Sequence, residues 1–488
     1  MRLAAVFGFS LLCVACVSAP QNAPADLVLK GVNIVDVETA AVLMDQDVAI
    51  RAGRIENIQD SRDDPSIRGG QMVDARDQYL VPGLWDLHVH LESFTPPDAR
   101  ELDPRQWSAP LAMSYGVLGM RDMGSRTDDI LALRDAFASL RRTGKAAPML
   151  KLVGQSFSGD QPWGTFDHTL IPQTPAQAVE MVNQQIARGV DFIKVHDFLA
   201  PEVYRAIVQA ARAGGMSVIG HLRSFSGPVQ SATLGHADFD HLPPELLAYC
   251  GANGMRDTEA FYAGWYTGGP GYYEREMARL YKPDDCATMF TELAAFAVSV
   301  TPTLSVRAPV HERTFTAASR FLPDQQMKYC AEARAFRNAA SGPDVAAYRA
   351  MIAAVVRSLA DSGIENLTGT DGSPESCGIP GLVLLDELEE LVTAGLTRAQ
   401  VLRAATLGGA RKAGVADAGA VAAGSLADLV LLSANPLEGF ATLEEPAGIV
   451  SAGKYIGREE LLAMRESAAA YARSLPPVVA VTAAAATE

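Results

Sequence analysis

The chain has 488 residues, with 41 Lys and Arg against 57 Asp and Glu and a formal charge of −16. Hydrophobic residues at 48% and charged residues at 20% exclude wholesale disorder, and this length supports a large buried core. The acidic balance, with no run of clustered Lys and Arg, excludes nucleic acid as a partner.

In chain order, Arg2 and the apolar run Leu3 to Val17 read as a secretory signal, too short for a membrane span of ~20 residues. Leu12-Cys13-Val14-Ala15-Cys16 resembles a bacterial lipoprotein box, with Cys16 lipidated and Val17 to Ala25 a tether to the membrane. Ala23-Pro24-Ala25 would instead serve a plain signal peptidase. Either end predicts export, as a periplasmic protein or an outer-membrane lipoprotein of a bacterium. An oxidising compartment then permits Cys250, Cys286, Cys330 and Cys377 up to two disulfides, in any of three connectivities, or four buried thiols.

Residues 26–80 hold short apolar runs broken by Gly and Asp, which predict β-hairpins. The same texture returns in Gly424 to Leu432 and Gly448-Ile449-Val450, so 416–465 is expected to complete one small sheet domain, with a tail over 466–488. Between them, 81–415 alternates apolar strands with helical patterns. Strand windows fall at 84–90, 117–122, 149–155, 191–196, 217–221, 237–241, 298–304 and 366–371. Eight windows separated by helices predict an α/β chain, a (β/α)8 TIM barrel with a small β-sandwich domain formed from both chain ends. Thr397 and Gln400 fit a capping box at one helix start. The aromatic stretch 253–290, with Phe261, Tyr262, Tyr272 and Tyr273, is either a lid or pocket wall or a self-packed excursion.

Candidate chemistry sits at the predicted strand ends. In Asp86-Leu87-His88-Val89-His90 strand alternation sends both imidazoles to one side, at the end of the first barrel strand. His221 ends a fifth strand, His241 a sixth and Asp371 an eighth. Barrel enzymes place their working groups at such ends, and four imidazoles with a carboxylate suit Zn²⁺ or a similar ion. Lys194, on the fourth strand, is either an ion-paired lysine or a desolvated amine able to add carbon dioxide as a carbamate.

These stretches, with Val81-Pro82-Gly83, Gly116 to Asp122, Asp191 to Lys194, Gly220-His221, Gly235 to His241, Gly369-Thr370-Asp371 and Gly424 to Leu432, resemble the amidohydrolase superfamily. The resemblance is to its binuclear branch of prolidase-like metal-dependent carboxypeptidases. It implies two divalent metal ions, with zinc expected. His88, His90 and Asp371 would hold one, His221 and His241 the other, and carboxylated Lys194 would bridge them. It further implies attack on an amide carbonyl by a hydroxide between the metals, with Asp371 moving the proton. The substrate is then a small molecule, a dipeptide or N-acyl amino acid. An ester, lactone, carbamate or phosphotriester would suit the same centre. A deaminase is expected less, since that branch uses one metal and no bridging lysine, and an inactive binding protein would have lost ligands. A homo-oligomer is expected.

Arg223 and Arg307 are candidate cations for a substrate carboxylate. His196 shares the side of Lys194, His236 is expected to be structural, and His168 and His311 fall in loops. Asp86, Arg121 and Asp122 are expected to bond backbone near the barrel mouth.

Overall fold

The computed structural model describes residues 24–63, 67–91, 101–160, 168–222, 225–265, 267–268, 271–339 and 341–476. Cys16, the signal, Arg223 and residues 477–488 lie outside the described residues.

The strands in chain order are β1 Ala25–Val35, β2 Val42–Arg51, β3 Arg54–Asp60, β4 Gly69–Asp74 and β5 Tyr79–Pro82. They continue with β6 Leu84–Val89, β7 Val117–Asp122, β8 Met149–Leu152, β9 Ser156–Phe157, β10 Thr169–Leu170, β11 Ile193–Val195 and β12 Val218–Gly220. The last are β13 His236–Asp240, β14 Ser299–Thr301, β15 Glu365–Asn366, β16 Leu429–Leu432, β17 Gly448–Ser451 and β18 Lys454–Gly457.

The chain ends meet at β5, which pairs parallel with β1 and antiparallel with β16. The sheet runs β18-β17-β16-β5-β1-β2-β3, with β4 parallel on β1. Alternating apolar residues from both ends fill its inner face, among them Leu27, Leu29, Ile50, Leu80, Leu429 and Leu431. Burial of these faces against each other, rather than chain order, makes the two segments one sandwich.

The barrel strands are β6, β7, β8, β11, β12, β13, β14 and β15, each overlapping one predicted window, although β13 starts a residue early and β15 meets its window only at Asn366. All pairings among them are parallel. Backbone bonds close the ring, from Leu87 N to Thr368 O at 3.0 Å and from Asp191 N to Leu152 O at 2.9 Å. The strands are shorter than predicted because their last residues leave the extended region. His241, Thr303 and Asp371 have φ of 65°, 48° and 51°. Two glycines are required by close approach. A Cβ on Gly220 would meet Val195 O at 2.2 Å, and one on Gly369 would meet Thr301 Cγ2 at 2.5 Å.

The Thr397 box forms, with Thr397 accepting from Gln400 N. The expected tail boundary at 465/466 falls inside a helix, Arg458–Ser474. Leu461, Ala468 and Ala472 bury one face of it, and Arg465 stacks on Tyr115 at 3.8 Å while donating to Ser114 O and Glu444 O. The Arg and Glu content of that stretch masks its apolar stripe in the sequence.

The four cysteines pair as Cys250–Cys286 and Cys330–Cys377. Among the described residues no helix is long and apolar enough to cross a membrane. A thiol titration of residues 26–488 under denaturing conditions is expected to find no free thiol. Replacing either pair with serine should cost roughly 2–4 kcal/mol in urea melts. Four titratable thiols would contradict both bridges.

Candidate metal centre

The six predicted residues converge at the C-terminal ends of the barrel strands. His90, His221 and His241 each lie one residue past a strand, where the chain turns into the mouth. His221 Nε2 and His241 Nε2 are 3.2 Å apart. Asp371 Oδ1 lies 3.5 Å from His88 Nε2 and 3.3 Å from His90 Nε2, and its Oδ2 is 4.0 Å from His241 Nε2. Lys194 Nζ lies 3.5 Å from His88 Nε2.

The other ring nitrogen of each histidine faces an acceptor outside this cluster. His90 Nδ1 is 3.4 Å from Gly124 O, His221 Nδ1 3.0 Å from Asp197 Oδ1, and His241 Nδ1 2.6 Å from Thr303 Oγ1. His88 Nδ1 is 3.5 Å from Asp240 Oδ1. A carboxylate facing His221 Nδ1 places the proton there and leaves the Nε2 lone pair pointing inward. Two Nε2 atoms 3.2 Å apart cannot both carry protons. This arrangement, with the outward nitrogens of His90, His221 and His241 hydrogen-bonded and inward lone pairs convergent, is how metal-ligating histidines are oriented. The donor set therefore fits divalent ions. His88, His241 and Asp371 offer ligand atoms all within 4.8 Å of one another, as do His196, Asp197 and His221.

Burial lowers the His241 pKa to about 3, helped by His221 and His88 and opposed by Asp371, so the ring is neutral. Burial alone would raise Asp371, but His88, His90 and His241 outweigh it and hold the carboxylate well below its usual range. Asp240 behaves likewise: burial would raise it, and His88 and Lys194 drive it down.

The sequence reading missed four supporting residues. Asp240 is fully buried, 3.5 Å from Lys194 Nζ, and neither carboxylate oxygen has a hydrogen-bond partner. Its signal was strand alternation, which sets Asp238 and Asp240 on one side ahead of His241. Asp197 and Thr303 sit in turns, where no periodicity marks them. Glu387, from the helix Leu382–Thr393, accepts from Ser305 N at 2.7 Å and so caps the turn Leu304–Val306 that follows Thr303.

The remaining candidates fall as follows. His196 stacks beside His221, ring centroids 4.1 Å apart. His236 is buried against Tyr204 and Phe239. His311 faces Glu390 at 3.3 Å. His168 accepts from Ser156 N through its carbonyl. Asp86 accepts from His88 N and Thr370 N, Asp122 from Leu91 N and Gly124 N, and Arg121 donates to Leu87 O and Asp238. Arg307 lies with its guanidinium 4.0 Å over the Tyr273 ring. Tyr273 in turn contacts Phe261 and Tyr348, so the aromatic stretch is both self-packed and a support for Arg307.

Residues 79–456 match the amidohydrolase family. The adenine deaminase of Paracoccus denitrificans (strain Pd 1222) is 27% identical over 236 residues, 46% of this chain and 36% of that protein. The chain thus spans about a third of the length of this curated relative, and a quarter of the Jannaschia sp. (strain CCS1) adenine deaminase 1, which is 30% identical over 152 residues, 29% of this chain. Among solved structures, bottromycin amidohydrolase superposes with a TM-score of 0.68 at 22% identity, covering 93% of this chain and 92% of that one. A Xaa-Pro dipeptidase with bound methionine in the active site gives 0.59 at 17% identity, covering 88% and 99%. These likenesses establish the barrel-plus-sandwich fold.

Burial pushes the Glu387 carboxyl up to about 8, from 4.5. A folded pKa above the unfolded one means that this group's contribution is complete below about 4.5 and is lost as pH rises through about 8. Glu387→Gln keeps the acceptor for Ser305 N and should remove that loss. Between pH 6 and pH 9 the unfolding free energy from urea melts should fall less in the variant, by on the order of 2–4 kcal/mol. An unchanged alkaline fall would show that Glu387 titrates normally.

Proposed function

The chain belongs to the amidohydrolase family, and from that membership we propose that it is an exported metal-dependent hydrolase that cleaves an amide bond in a dipeptide or N-acyl amino acid. The observation that carries the reading is the convergence at one mouth of four imidazoles, three of them hydrogen-bonded through the ring nitrogen turned outward, with Lys194 and Asp371.

In this reading His88, His90 and Asp371 would hold one divalent ion and His221 and His241 a second, with Lys194, as a carbamate formed with carbon dioxide, supplying a further anionic ligand. Zinc is the ion best suited to an imidazole-rich set. Ions bound there would polarise the scissile carbonyl and lower the pKa of water, in proteins to roughly 7. Lys194 is 2% exposed and has Asp240 at 3.5 Å. Its amine would keep one N–H toward Asp240 after losing its charge to the carbamate. Asp371 is ionised, lies within 4.0 Å of His88, His90 and His241, and accepts the proton of the attacking water. It then returns that proton to the leaving nitrogen, a base first and an acid second. Thr303 and Asp197 keep His241 and His221 from rotating. Arg307 faces the substrate carboxylate, its planar fork held by Tyr273.

Export rests on the signal-like start and is supported by the two disulfides, which persist in oxidising compartments. Lipidation at Cys16 would tether the enzyme to a membrane through Val17 to Ala25.

The adenine deaminase relatives support a second reading, hydrolysis of a ring-carbon amine with loss of ammonia. One screen separates the two. Metal-loaded protein is offered dipeptides, N-acyl amino acids and adenine, and released amino acid and ammonia are measured separately. Amino acid from a narrow subset supports the amidase, and ammonia from adenine supports the deaminase. Silence on all of them from protein holding two metals sinks both and moves the reading to esters, lactones, carbamates or phosphotriesters.

Lys194→Ala should bind well below two metals per chain and lose most turnover, with partial rescue by a short carboxylic acid. Retention of two metals and full activity would remove Lys194 as a ligand. Asp371→Asn should lower kcat by about 10²–10⁴-fold while metal content falls far less. Normal turnover would exclude Asp371 as the proton carrier.

A further inference from the structure

Two attachments reach the mouth from a single helix, Asp324–Ala339, which lies outside the barrel ring. Cys330 is bonded to Cys377, in the loop that follows Asp371. Seven residues on, two helical turns along the same face, Arg337 spans two loops at once. Its Nη1 donates to Ser305 O and Val306 O, both at 2.9 Å, and its Nη2 to Ser376 O at 2.8 Å. The first two carbonyls belong to the turn after the seventh barrel strand, which carries Thr303 and so the orientation of His241. The third belongs to the loop after the eighth, which carries Asp371.

Arg337 forms no ion pair among the described residues, and its Nε is buried without a hydrogen-bond partner. A half-buried cation that takes only carbonyl partners, with one donor unused, is not there to neutralise charge or to satisfy its own groups. What its planar fork does is fix the distance between two loops that share no ladder. Beside it Gly372, Ser376, Cys377 and Ser305 line a small cavity between the two loops.

We propose that Arg337 is a positioning residue of the metal centre, holding the loops after the seventh and eighth strands in register so that His241 and Asp371 face each other across the site. The proposal rests on the metal-centre reading above and extends it to a residue more than 30 positions from either ligand in sequence. Lysine can donate to these carbonyls but cannot span both loops with one rigid plane.

The test compares the parent chain with Arg337→Gln and Arg337→Lys, each checked for folding by circular dichroism and for intact disulfides by thiol titration. Cobalt(II) is titrated into the apo-proteins and its visible absorption recorded, and amide exchange is mapped over 303–307 and 372–378. Arg337→Gln should bind cobalt roughly 10-fold more weakly, with an altered spectrum and faster exchange in both segments together. Arg337→Lys should fall between it and the parent, and serves if the glutamine variant does not fold. A folded variant with the parent's isotherm, spectrum and exchange overturns the proposal and leaves the metal centre standing. A parent chain that binds no cobalt overturns the metal-centre reading, and this proposal with it.

Discussion

The four imidazoles of the centre are oriented by the ring nitrogen they turn away from it. Three of the acceptors come from the end of a neighbouring strand: Gly124 after β7 for His90, Asp197 after β11 for His221, Thr303 after β14 for His241. The fourth, Asp240 on β13, reaches His88 across the barrel interior. Each ring is therefore set by the register between two strands and not by its own backbone alone. A slip of one residue in a parallel pair reverses every side chain of that strand. The geometry at the mouth is thus a readout of the whole ring.

Beneath the imidazoles the barrel interior is charged. Arg121 and Asp238 pair at 2.6 Å while almost completely buried, and Asp238 also accepts from Ser299 and Thr301. That carboxylate is fully satisfied, so its role is structural, and removing either partner would strand the other. Asp240 is two residues along the same strand and contrasts with it. Its oxygens meet His88 and Lys194 only at 3.5 Å and make no hydrogen bond. An under-satisfied buried carboxylate is costly. Its place beneath the centre is intelligible if the groups above it change charge when ions and carbon dioxide bind.

The sequence was readable wherever one periodicity governed a residue. Apolar runs located all eight barrel strands, and alternation placed His88 with His90. Strand ends singled out His221, His241 and Asp371, although Asp371 lies five residues beyond β15 as a strand, reached by a backbone bond from its N–H to His88 O at 2.8 Å. The two β-rich flanks were visible, but not that β5 joins them, because pairing between distant segments leaves no mark in either one. The cysteines allowed three connectivities, and only the folded loops select one. Thr303 and Asp197 were illegible for a further reason: they act from irregular backbone, where neither a 2.0 nor a 3.6 repeat exists to read. Glu387 lies in a helix, but its partner Ser305 sits in a turn 82 residues away, which the helical repeat does not reveal.

The halves of the mouth are held by different means. Lys194 and the histidines of the first and fifth strands sit on or beside ladder hydrogen bonds, and their connecting segments are short. The last two crossovers are long excursions, residues 241–298 and 302–364, and they carry the turns that complete the site. Ordering such segments costs conformational entropy that the sheet does not offset. Covalent and charged ties meet that cost: Cys250–Cys286 closes the first excursion, Cys330–Cys377 and Arg337 join the second to the loop after the last strand, and Tyr273 under Arg307 links the two. A disulfide holds a loop without needing a core, and so suits a mouth whose long excursions must be rigid where the barrel cannot reach them.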